Sequence, residues 1–175
     1  RIDDEFKILE KLIIPCSVSI KTDLPIPILS ALKMPDQASF HPLKFLYAIS
    51  KNLNIYENSK VTSVDIKNHI LETPSANIHA EKIILCTHFP FINTPGYFFF
   101  KMYQQRSYVM AIKNMSNLKG MYIGCDEPSY SFRPYGDILL IGGSGHRCGH
   151  NETGTAYMDL KNFIKKIYPS SNILC

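Results

Sequence analysis

At Ile55 the hydrophobic period of this chain changes from helical to two-fold, and that switch limits the fold more than any other feature. Before it, residues 4–14 carry Phe6, Leu9, Leu12 and Ile13 at helical spacing and stop ahead of Pro15. Residues 16–34 are apolar but interrupted by Pro25 and Pro27, which predicts extended pieces and a loop. His41-Pro42 opens a second helix, because proline suits a first turn whose N–H groups have no intrahelical partner. Leu43, Leu46, Tyr47, Ile49 and Leu53 are expected on its inner face. After the switch, Val61, Val64 and Ile66 lead to a polar turn at Lys67-Asn68. A strand at 69–73, a turn at Pro74-Ser75 and a strand at 77–85 complete a β-meander. Ile83-Ile84-Leu85-Cys86 is continuously apolar, as in a strand covered on both faces. Further strands are predicted at 106–113, 120–125, 130–134 and 137–142, and a helix at 155–167 with Tyr157, Leu160, Ile164 and Ile167 on one stripe. This order is α+β, without the regular alternation of a doubly wound nucleotide fold.

Composition excludes several classes. At 175 residues the chain suits one or two small domains. The net charge of +4 comes from lysines scattered among carboxylates, a solvated surface with no nucleic-acid-binding run. No apolar stretch approaches the roughly 20 residues that span a bilayer, and Arg1-Ile2-Asp3-Asp4-Glu5 lacks the apolar segment of a signal peptide. The five cysteines, Cys16, Cys86, Cys125, Cys148 and Cys175, are odd in number and contain no C-x-x-C pair. They read as reduced thiols of a cytoplasmic protein, with Cys86 and Cys125 as small buried hydrophobes. The absence of an initiating Met suggests that the chain starts mid-protein.

Four stretches carry candidate chemistry, each beside a plainer reading. Asp36-Gln37-Ala38-Ser39-Phe40-His41-Pro42 runs into a helix start and offers free N–H groups to polar ligand atoms, although capping by His41 or Ser39 explains it more simply. Ile84-Leu85-Cys86-Thr87-His88 empties a buried strand into small polar residues, as ligand-receiving sheets do and as any strand end does. In Ser131-Phe132-Arg133-Pro134-Tyr135-Gly136-Asp137, Arg133 could clamp a carboxylate bidentately or stack on Tyr130 or Tyr135. The glycines of 142–150 would let backbone approach a flat ligand. His146, Cys148 and His150 are zinc-type ligands, but their alternate spacing in what reads as a glycine-rich loop is not a usual zinc pattern, so no metal is expected.

Taken in order, these stretches resemble FAD-dependent oxidoreductases of the D-amino-acid oxidase/glycine oxidase (DAO) family. The residues that carry the resemblance are Asp36 to Leu46, Tyr56 with Val61-Thr62-Ser63-Val64, Ala80 to His88, Gln105 to Ala111, and Tyr130 to Gly143. It looks closest to members fused to a C-terminal Rieske domain. Cys86 stands where alanine is usual. The family's opening strand with G-x-G-x-x-G, and its closing glycine-bearing segment, have no counterpart.

The resemblance implies an antiparallel or mixed substrate-domain sheet with flanking helices, plus a β-meander belonging to an FAD-binding domain. Residues 1–30 and 95–168 would be substrate-domain elements, 31–94 the middle part of the FAD-binding domain, and 169–175 a truncated end. The complete protein would oxidise an amine or amino acid by hydride transfer to FAD, and this central fragment would be inactive alone. Arg133, Tyr130 and His146 would bind substrate, while Val61, Cys86, Thr87 and Gly143 would meet the cofactor. No catalytic side chain is assigned. Neither nucleic acid nor membrane is an expected partner, whereas self-association through exposed apolar surface is. A non-catalytic binding or interaction module derived from this fold stands as the alternative.

Overall fold

The computed structural model describes residues 1–94, 96–113, 118–150 and 154–174. Helix α1 spans Ile2–Lys11 and is followed by β1, Ser17–Ser19, and β2, Ala31–Lys33. Helix α2, Pro42–Ser50, precedes β3, Ser63–Asp65, β4, Ile70–Glu72, and β5, Asn77–His79. The long strands follow: β6 over Gln105–Lys113, β7 over Tyr122–Ile123, β8 over Ser131–Tyr135 and β9 over Ile138–Arg147. Helix α3, Ala156–Ile167, and β10, Asn172–Ile173, end the described chain. The architecture is therefore mixed α+β, with antiparallel pairing in every described sheet.

By contact the chain divides into two units, Arg1–Gln37 with Gln104–Cys175, and Ala38–Tyr103. The first is built on a five-stranded sheet of order β10-β6-β9-β8-β7. Two-fold alternation sends Met110 and Ile112 of β6, Leu139 and Ile141 of β9, and Phe132 of β8 to one face. There they meet Leu160, Ile164 and Tyr168, which recur at i, i+4 and i+8 along α3 and its end. Met110, Ile112, Leu139, Ile141, Leu160 and Ile164 have no exposed surface at all. Burying each contributes about 1.5–3 kcal/mol. Helix α1 bears Asp3, Asp4 and Glu5 in its first turn and Lys11 in its last, so its charges suit the helix dipole.

The second unit holds α2 and the meander β3-β4-β5. His41 caps α2, its Nδ1 accepting from the Lys44 N–H at 3.3 Å, with Pro42 at the first position. The Asp65 carboxylate shapes the first hairpin turn, accepting from the Lys67 and Asn68 N–H groups at 3.0 Å each. These bonds, above all the one from Asn68, pull the Asp65 pKa below the ordinary carboxylate value.

Several expectations are corrected. Ile83–Cys86 is not a strand: β5 stops at His79, Ile84 is 85% exposed, and Leu85 and Cys86 are exposed too. An apolar run becomes a central strand only when strands on both sides take its N–H and C=O groups, and none of the described strands pairs with it. Leu43, Leu46, Tyr47 and Ile49 line no buried face, and Leu53 falls beyond the end of α2. Cys86 and Cys125 are exposed free thiols, while Cys175 lies outside the described residues. The glycine-rich run is not a loop either, since β9 continues through Gly142, Gly143 and Gly145 to Arg147, paired with β6. No helix among the described residues is long and apolar enough to cross a membrane.

Leu160→Ala should cost about 2–5 kcal/mol through the cavity it leaves under the sheet. Leu46→Ala, at a half-exposed position of α2, should cost less than about 1 kcal/mol. Urea unfolding of both variants measures the difference, and equal losses would contradict this placement of the core.

Candidate functional site

The sheet of the first unit carries Tyr130, Arg133, Gly143 and His146, and strand alternation distributes them over two faces. Tyr130 precedes β8 and is bonded into the sheet by its carbonyl, which accepts from Gly124 N–H at 2.8 Å. Its ring lies flat on Phe163 of α3, with centroids 3.6 Å apart and planes 2° from parallel. Tyr130 thus belongs to the α3 face. Burial there, reinforced by the Asp159 carboxylate, raises the Tyr130 pKa above the ordinary phenol value.

Gly143 explains why the Tyr130 ring fits. A Cβ on Gly143 would lie 2.8 Å from Tyr130 Cε1 and 3.3 Å from the Ser129 carbonyl oxygen. The flat group that this glycine admits is the chain's own tyrosine ring, which covers the surface expected to meet a cofactor.

His146 reaches the same face through a register shift. β6 pairs Tyr108 with Gly143 but Arg106 with His146, so β9 inserts one extra residue between two pairs. Ser144, at φ 52°, lies within the insertion. Such a bulge re-aims every side chain beyond it. Built outward, Gly142 would face Val109 while Gly145 would face Ser107, two odd-numbered β6 residues opposite an even and an odd glycine. His146 is consequently turned toward Tyr108, whose hydroxyl is 3.0 Å from Nε2. Nδ1 is 3.0 Å from the Arg147 carbonyl oxygen. A carbonyl only accepts, so Nδ1 carries the proton and Nε2 accepts from the Tyr108 hydroxyl.

Arg133 lies on the opposite face. It alternates with buried Phe132 and with Pro134, sits across from Leu140 on β9, and is half-buried. Ser131 shares its face, across from Gly142. This side remains partly accessible: Val109 is 57% and Tyr135 48% exposed. The sheet therefore brings Tyr130 and His146 to one face and holds Arg133 on the other, so the three do not form one cluster. Ser131 and Gly142 escaped the sequence reading, because only the β8–β9 register reveals them as neighbours of Arg133.

In the second unit, Val61 is half-buried just ahead of β3, and Cys86 and Thr87 are exposed on irregular chain. The Thr87 hydroxyl donates to the Phe89 carbonyl at 3.2 Å, across a tight turn in which His88 has φ 59°. That hydroxyl is thus used within its own turn. Among the described residues no group of three or more His, Cys, Asp or Glu side chains is placed to hold a metal.

Gly143→Ala should destabilise the chain by about 1–3 kcal/mol through overpacking against Tyr130. Gly120→Ala is the control, since its nearest neighbours stand at an ordinary 3.6 Å. Thermal unfolding with near-ultraviolet circular dichroism should show a lower Tm and an altered tyrosine signal for the first variant alone.

Comparison with known proteins adds an independent line. A protein of Bacillus subtilis (strain 168) named as a Rieske 2Fe-2S iron-sulfur protein, YhfW, is 38% identical over 160 residues, a match covering 82% of this chain. The same match covers 31% of that relative, so the chain spans about a third of its length. No solved structure matches. The family described as FAD dependent oxidoreductase matches residues 14–174, and the chain belongs to that family, DAO.

Proposed function

We propose that this chain supplies the substrate-recognition sheet of a longer FAD-dependent oxidoreductase acting on a small amine or amino acid, with Arg133 receiving the substrate carboxylate. The observation that carries the reading is the position of Arg133. It projects from a strand paired on both sides, half-buried, on the face away from the helix and core. A guanidinium held on a rigid element presents two parallel N–H donors to a carboxylate, and partial burial strengthens such a charge-assisted pair. Tyr130 and His146 support the sheet from its other side, through the Phe163 stack and the Tyr108 bond.

The two contact units support a substrate domain drawn from residues 1–30 and 95–168, and an FAD-domain portion from 31–94. Flavin supplies the redox chemistry of the family, and the diphosphate of FAD calls for glycine-loop amides at a helix N-terminus. This sequence has no strand, G-x-G-x-x-G and helix in that order. The phosphate-binding part is therefore assigned to other segments of the longer protein.

Two measurements test this reading. In the protein encoded by the complete reading frame, Arg133→Lys should lower kcat/KM for a carboxylate-bearing amine by about tenfold or more. That corresponds to losing about 1.5–3 kcal/mol of charge-assisted bonding. Unchanged kinetics in Arg133→Ala would remove the assignment. The 175-residue chain alone, titrated with FAD and followed by flavin fluorescence, should show no submicromolar binding. A yellow protein as isolated would place the diphosphate site within these residues.

A further inference from the structure

We propose that Ser131 is the second anchor of the carboxylate site, with Gly142 as the residue that keeps its hydroxyl available. The inference rests on the reading of Arg133 given above. Ser131 and Arg133 stand two residues apart on β8, so their side chains leave the same face with Cα atoms roughly 7 Å apart. A carboxylate held bidentately by the guanidinium is then close to a hydroxyl on the same face of the same strand.

The hydroxyl is conspicuous for what surrounds it. Across from it stands Gly142, and a Cβ there would come within 2.7 Å of Ser131 Oγ. The same Cβ would meet the Tyr108 carbonyl oxygen at 3.6 Å and Val109 Cγ2 at 3.7 Å. Any larger residue at 142 would push the serine side chain out of its present rotamer. Gly142 has no positive φ to satisfy, so glycine serves space here and not backbone conformation. Among the described residues Ser131 Oγ takes no protein hydrogen-bond partner, a condition it shares with Ser17, Ser30, Ser39, Ser75, Ser107, Ser144 and Ser170, and what distinguishes it is its place beside Arg133 on a strand paired on both sides. A half-buried hydroxyl left unspent beside an arginine is a donor available to a ligand.

A serine O–H donates to one carboxylate oxygen while the guanidinium takes the other or both, which adds direction to a charge contact.

The test uses the full-length protein and two probes, sodium acetate as a short carboxylate and sodium benzoate as a bulky one, with calorimetric Kd values. Ser131→Ala should weaken acetate binding about five- to tenfold, Ser131→Thr should restore much of it, and Gly142→Ala should weaken both probes. Thermal unfolding identifies any variant that fails to fold, and Ser131→Ala, which only removes an atom, keeps the question answerable if Gly142→Ala does not. A change below twofold in Ser131→Ala, with Arg133→Lys clearly impaired, overturns the role of Ser131 alone. Acetate binding that is absent in the parent protein, or unchanged in Arg133→Lys, overturns the Arg133 reading and this one with it.

Discussion

The antiparallel pairing of β6 with β9 is the constraint on which the first unit depends. It joins nine residues to ten, the longest ladder among the described residues, and supplies four of the six largest fully buried side chains found there. The apolar stripe of helix α3 is buried because Met110, Ile112, Leu139 and Ile141 provide a surface to receive it. Strands β8 and β10 attach to either side of this pair, and Lys113 at its end bonds Asp137 at 2.7 Å. That contact holds the Asp137 pKa down, first by the hydrogen bond and then by the lysine's charge. Asp137 is largely exposed and Lys113 about half so, which leaves the pair screened by solvent and of little weight for stability.

What the sequence disclosed follows the same physics. The α3 stripe of Leu160 and Ile164 and the His41-Pro42 helix start were legible, because each signal is local and is satisfied by local geometry. The hairpins at Lys67-Asn68 and at Gly136 were legible for the same reason. Ile83–Cys86 was misread because hydrophobicity states that a segment suits burial, not that partners are present to bury it. The glycines of 142–145 read as a loop since their compatibility with a strand depends on Tyr130 and Ser131 filling the space of the missing side chains. No local pattern encodes that. The exposed thiols of Cys86 and Cys125 were missed on the same ground.

The candidate site was legible as a set of residues but not as a geometry. Arg133, Tyr130 and His146 lie close in sequence to one hairpin, and proximity in sequence suggests one cluster. Alternation alone would put Tyr130 and Arg133 on opposite faces. His146 has the parity of Gly142 and of the Arg133 face, and only the extra residue at the bulge transfers it to the face of Tyr108. A single inserted residue thus decides whether an imidazole stands beside the guanidinium or behind the sheet.

That transfer has a physical consequence for what the Arg133 face can recognise. With His146 fastened to Tyr108 and to the Arg147 carbonyl, the opposite face carries the Arg133 guanidinium and the Ser131 hydroxyl without an imidazole between them. The two neighbouring glycines divide the work between faces. Gly143 lets Tyr130 lie flat against the strand and meet Phe163, which closes the helix side. Gly142 leaves room on the other side for Ser131. One strand thereby packs an aromatic ring on one face and a small hydroxyl side chain on the other, and the residues that permit both are the two that have no side chain.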